Sequence, residues 1–219
     1  VLLVSALWLD PIPSMLRAQA CEALEAGDVL GFLCSAGNHD GLGLVYWNAQ
    51  ALRERHLYEV ALLHAFTATR NNHARWPLRE LRWLFHMADR NRLRAAGAPL
   101  PGPGPFTLYR GIAGRAPHRK PRGFSWTASP DQARWFAQWF DLGAPAVLRV
   151  TAPADWVLAV VTDRDEQEFL LWLPDHIRPR RLIETDAERQ AGFERVQTEH
   201  RRELDRFLAE AGMPSAGQS

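Results

Sequence analysis

Three short segments carry the side chains that can do chemistry: Tyr109-Arg110-Gly111, Ser125-Trp126-Thr127 and Glu166-Gln167-Glu168. Each borders an apolar run of strand length: Phe106 to Ile112, Gly123 to Ala128 and Glu168 to Leu173. Alternate residues of an extended strand share a face, so Phe106, Leu108 and Arg110 form one side of the first run. An apolar face thus ends in a guanidinium, just before a glycine that lets a backbone or a ligand approach closely. A guanidinium at a core rim calls for a phosphate or carboxylate, which its planar fork grips with two N–H donors; an internal pair with Glu168 is the alternative. Ser125 and Thr127 share a face opposite Phe124 and Trp126, so a hydroxyl can lie beside a ligand while the aromatics pack. Glu166 and Glu168, two apart, point the same way in extended chain. Paired carboxylates there repel unless a cation visits them, or else they belong to a solvated turn.

The elements that must hold these groups are legible in outline. Apolar residues recur at helical spacing through the first hundred positions, predicting a helix from Ser14 to a stop at Gly27, a second over 48–69 (Leu52, Val60, Leu63, Phe66) and a third over 76–88. Arg79, Arg82, Arg90 and Arg94 give the third a basic, solvated face, or one that meets an acidic partner or RNA. Val1 to Leu9 is apolar and too short to cross a bilayer, so it reads as a core strand or an anchoring arm. Alternating Pro and Gly from Pro99 to Pro105 break the chain. Short strand-like runs follow: Phe106–Ile112, Gly123–Ala128, Ala146–Thr151, Trp156–Thr162 and Glu168–Leu173. Ser129-Pro130-Asp131-Gln132 starts a helix with an N-cap serine and a proline in the first turn. That helix bears Phe136 and Phe140 on one face and Trp135 and Trp139 on another. The surplus aromatic face is covered by the N-terminal helices or lines a pocket where a flat ring stacks. A last amphipathic helix runs from about Asp186 to Ala211. The fold class is therefore α+β: a helical region 1–104 packed on a split, mostly antiparallel β-core that occupies 105–219 with a closing helix, together one compact unit.

Composition narrows the function classes. The 219 residues are 47% hydrophobic and 23% charged with a net charge of +1, which fits a folded protein and gives no bulk signal for nucleic acid. Lys120 is the only lysine among 26 basic residues. Cys21 and Cys34 are too few for a disulfide framework. Gly37, Gly41 and Gly43 match no phosphate-loop spacing, and the scattered histidines offer no metal pair.

The three motifs, in this order and context, resemble those of the mono-ADP-ribosyltransferases of the arginine, serine, glutamate type, which include cholera-toxin-like and C3-like bacterial toxins and vertebrate ecto-enzymes. The resemblance spans about Phe106 to Leu173. It implies NAD as co-substrate and no metal: Arg110 on an NAD phosphate, Gly111 offering backbone bonds to the nicotinamide amide, Ser125 orienting Glu168, Thr127 supporting the site, and Phe136 stacking on nicotinamide. Glu168 would hold the nicotinamide ribose and stabilise its developing charge, and Glu166 would help deprotonate an acceptor arginine. Catalytic residues would thus be Arg110, Ser125, Glu166 and Glu168, and the cofactor-binding set Tyr109, Arg110, Gly111, Ser125, Trp126, Thr127 and Phe136. Trp126 departs from the small hydroxyl residue commoner at its place and faces away from the ligand. The family's habits imply a bacterial toxin or effector, with a neutralising partner protein possible; the two cysteines point to a reducing, cytoplasmic compartment and the short N-terminal apolar run to no membrane. Alternatives from the residues are NAD glycohydrolysis, transfer to nucleic acid guided by the basic loop His118-Arg119-Lys120-Pro121-Arg122, and a non-enzymatic protein-binding module.

Overall fold

The computed structural model describes residues 6–37, 41–68, 76–116, 119–139, 141–162 and 167–211. Glu166, Phe140, His118 and the first five residues of the apolar N-terminal run lie outside them. The chain divides into two units, Val1–Pro99 with Leu158–Val160, and Leu100–Val157 with Val161–Ser219.

The first unit is helical: α1 (Arg17–Glu25), α2 (Val29–Cys34), α3 (Gly41–Trp47), α4 (Ala49–Glu54), α5 (Tyr58–Ala68), α6 (Leu78–Met87) and α7 (Arg90–Ala96). Ser14 opens a 3-10 turn (Ser14–Leu16) rather than capping α1 with its side chain. The helix expected over 48–69 is two, α4 and α5, because His56 takes a left-handed backbone (φ 58°) that no α-helix can continue through. Ala6 to Leu9 form no strand. They are an arm held by Asn48, whose side chain accepts from Trp8 N at 2.7 Å and donates to Trp8 O at 2.8 Å. Asn48 is buried, so both of its amide functions find partners, as burial requires. The core gathers Phe32, Leu44, Leu52, Leu62, Leu84 and Tyr58, with the Tyr58 hydroxyl donating to Leu84 O at 2.9 Å. On α6 and α7, Arg79 and Arg90 are exposed while Arg82 and Arg94 are half-buried.

The strands β1 (Phe106–Ile112), β2 (Ser125–Thr127), β3 (Ala146–Ala152), β4 (Val157–Val161, of which Leu158–Val160 count with the first unit), β5 (Glu168–Leu171) and β6 (Arg180–Arg181) form one sheet in the order β4-β5-β2-β1-β3-β6. The pairings β1–β2, β1–β3, β2–β5 and β3–β6 are antiparallel. With α8 (Pro130–Gln138) and α9 (Asp186–Glu210), the architecture is α+β with an antiparallel sheet and a C-terminal helix. Pairing along β1 is uneven. Seven residue pairs join it to β3, whereas the Tyr109–Thr127 rung alone joins it to β2. The sheet is therefore split beyond Tyr109.

Helix α8 starts where the sequence placed it: the Ser129 side chain accepts from Gln132 N and Pro130 opens the first turn. On its second aromatic face, Trp135 packs against α9 while Trp139 stays half exposed. Trp135 is buried against the His200 ring at 4.9 Å and the Trp139 ring at 4.1 Å. Charge fastens the two helices as well. Glu184, its side chain only 3% exposed, accepts from Arg134 Nε at 2.9 Å and Arg189 Nε at 3.1 Å. Asp131 accepts from Arg134 and from Arg195 Nε and Nη2 at 2.8 and 2.9 Å. These bonds, Arg195 first, hold the Asp131 carboxyl below its ordinary range. Removing one partner of a buried pair strands the other charge, at a cost of roughly 3 kcal/mol. Glu184→Ala is thus expected to lower unfolding free energy in urea by about that amount, and a change under about 1 kcal/mol would show that α9 is held by packing alone.

Candidate active site

The three chemically interesting segments lie on adjacent strands, β1, β2 and β5. Tyr109 stands opposite Thr127, and Thr127 opposite Glu168, so one rung carries a phenol, a hydroxyl and a carboxylate on a common face. Ser125, two residues from Thr127 and opposite Leu170, shares that face. Thr127 is buried and its Oγ1 accepts from Ser129 N at 3.1 Å, tying the β2 end to the start of α8. Ser125 and Glu168 are half-buried.

Strand alternation sends Arg110 from the opposite face, with Leu108 and Ile112. Its guanidinium then turns into the split. Nε donates to Lys120 O at 3.1 Å and Nη1 to Ser125 O at 2.5 Å, so the arginine spans the gap that the missing β1–β2 rungs leave. Burial pushes its pKa down to about 10, with the Glu168 carboxylate opposing the shift. It remains a cation at neutral pH, near an acid yet hydrogen-bonded to carbonyls.

Both glycines at this locus are there for space. A Cβ on Gly111 would lie 2.1 Å from Ala133 O and 2.6 Å from Ala137 N, so the close approach that this glycine permits on its side-chain face is by α8. A Cβ on Gly123 would lie 2.6 Å from Arg110 Cζ. Nothing in the order of residues singles out Gly123; only the fold of the loop over the guanidinium reveals it.

Trp126 is core: 1% exposed, its indole donates to Gly123 O at 2.9 Å and its side chain faces away from Ser125 and Thr127. Phe136, on the helix whose backbone abuts Gly111, keeps 38% of its surface exposed and is available to a flat ring. A cavity of about 570 Å³ opens beside Thr127, lined among others by Gln132, Gln167, Arg195, Glu199 and His200. Its size suits a small-molecule ligand. The basic loop is not uniformly solvated. Arg119 donates to Gly114 O and Ala144 O, and Arg122 donates to the carbonyls of Leu173, Pro174, Asp175 and Ile177.

Comparison with protein-family models, with curated proteins and with solved structures returned no match. Among the described residues no helix is long and apolar enough to cross a membrane.

Proposed function

We propose that this chain is an NAD-dependent mono-ADP-ribosyltransferase with a protein arginine as first-choice acceptor. The observation that carries the reading is the adjacency of β1, β2 and β5, with Thr127 directly between Tyr109 and Glu168 and the Arg110 guanidinium lodged in the split beside them. A site for a dinucleotide needs a cation for its phosphates, a wall for its flat base and a carboxylate for its sugar, and Arg110, Phe136 and Glu168 supply these within one unit.

The chemistry follows from the residue types. Cleavage of the nicotinamide–ribose bond sends the electron pair to the ring, which leaves neutral, and builds positive charge on the sugar. Glu168, fixed and half-buried at a strand start, stabilises that charge where it develops. The acceptor nitrogen then bonds the ribose carbon and loses a proton, for which Glu166 is the intended base. Arg110 supplies positioning through the remote phosphates. A nucleic-acid acceptor is less favoured, because Arg119 and Arg122 are engaged by carbonyls rather than aligned along an open track. A delivered effector acting in the cytoplasm and restrained by a neutralising partner fits such an activity.

Incubation with NAD labelled in its adenylate half, together with a cell lysate, tests the reading. Label is expected in protein, lost on treatment that cleaves ADP-ribosyl-arginine, with nicotinamide released. Label only in free ADP-ribose would replace transfer by hydrolysis, label in RNA would replace the acceptor, and unchanged NAD would overturn the proposal.

A further inference from the structure

Arg122 belongs to the basic loop, yet its charge is engaged inside the protein. Nη1 donates to Asp175 O at 2.6 Å and Ile177 O at 3.3 Å, and Nη2 to Leu173 O at 3.0 Å, Pro174 O at 2.8 Å and the Asp175 carboxylate at 3.1 Å. The side chain is 19% exposed. Carbonyls of a single turn thus converge on one guanidinium, an arrangement that suits a planar fork of donors and not the point charge of an ammonium. That turn follows β5, and the end of β5 is tied to the same loop again, with Leu171 N donating to Phe124 O at 2.8 Å.

The backbone that Arg122 anchors is the one that seats Arg110. Just before it, Lys120 O accepts from Arg110 Nε at 3.1 Å and from Gly123 N at 3.1 Å. Just after it, Gly123 lies so close that a Cβ would stand 2.6 Å from Arg110 Cζ. Strands β1 and β2 share the Tyr109–Thr127 rung alone, so no ladder of amides fixes the chain between them. The Arg122 side chain does so instead, from a turn 51 to 55 positions further on.

We propose that Arg122 is a positioning residue for the dinucleotide site: it clamps the loop to the turn behind β5 and so holds the Arg110 guanidinium in its seat before a ligand arrives. Such preorganisation acts on affinity, because a loop already held loses no freedom when the ligand binds. Arg122 itself touches no ligand in this scheme. The inference rests on the ADP-ribosyl-transfer reading for the identity of the ligand, while the clamp stands on the hydrogen bonds alone.

Calorimetric binding of ADP and of NAD to the full chain tests it, in the parent, Arg122→Met, Gly123→Ala and the double variant. Arg122→Met is expected to bind both nucleotides about tenfold more weakly, with the loss in the KM for NAD and kcat changed less than about threefold. A clamp that works through the Arg110 seat has no further effect once Gly123→Ala has displaced the guanidinium. The double variant is therefore expected within about threefold of Gly123→Ala, whereas a merely structural role would multiply the two losses to about a hundredfold. Exchange of the Gly123 amide proton needs no ligand. It is expected to quicken at least about tenfold in Arg122→Met, with the amides of α9 unchanged. ADP affinity equal to the parent's in Arg122→Met, multiplied losses in the double variant, or Gly123 exchange at the parent rate would each overturn the inference. ADP bound with the expected coupling, but NAD left intact by the parent, would sink the transferase reading and leave the positioning role standing. A parent that binds neither nucleotide would overturn both.

Discussion

On the proposed transferase activity, Glu168→Gln is expected to consume NAD about a thousandfold more slowly than the parent protein while binding it with nearly the same affinity. The amide fills the same volume and leaves the β2–β5 pairing at Thr127 in place, so the strand start and its rung survive. What disappears is the negative charge that the proposed reaction sets against the sugar. A charge aimed at the transition state and held in a partly buried site acts mainly on kcat, because the ground-state sugar carries no matching positive charge. Glu168 also raises the Arg110 pKa, so its loss deepens the depression of that arginine without discharging it at neutral pH. Single-turnover rates with saturating NAD are the measurement. Retention of more than about a tenth of the parent rate would remove Glu168 from catalysis.

The second large effect separates two glycines that look equivalent in sequence. Gly111→Ala places a methyl against backbone on two sides, Ala133 O and Ala137 N of α8, and neither can yield without moving a helix that is itself fastened to α9. A loss of about 3 kcal/mol in urea unfolding is expected, the upper range for overpacking. Gly123→Ala meets only the Arg110 guanidinium, the far end of a flexible side chain. That variant is expected to fold within about 1 kcal/mol of the parent but to push the arginine off Ser125 O and Lys120 O, lowering NAD affinity about tenfold. Reversal of this pattern, a stable Gly111→Ala with full binding in Gly123→Ala, would contradict the packing of α8 on β1 and the seat of the guanidinium together.

Local structure is legible in the sequence where one period dominates. Phe106–Ile112 is a strand over the whole predicted range, Asp186–Glu210 is a helix within a residue of expectation, and Ser129 caps α8 as its hydroxyl chemistry requires. The strands at Ala146, Val157 and Glu168 begin within a residue of where alternation put them. Long-range relations were not legible. A run of helical spacing over 48–69 gave no sign that His56 would turn left-handed, and β6, two exposed arginines, carries no hydrophobic pattern. Trp135 announced a covering element, but chain order could not say that α9 would pack on it. The same holds at the site. Sequence named Arg110, Ser125 and Glu168 from their types and order, whereas Gly123 and Lys120 acquire meaning only from a loop that folds over a side chain ten positions earlier. Glu166, on which the proposed choice of acceptor turns, falls outside the described residues.

The solitary Tyr109–Thr127 rung has a kinetic consequence. Past that rung a side chain, not a ladder of amides, spans the two strands, so the gap exists before anything enters it. A visiting molecule has no β1–β2 rungs to break there, and its association should rise linearly with concentration at a rate set by encounter and charge, rather than levelling off at the rate of an opening step.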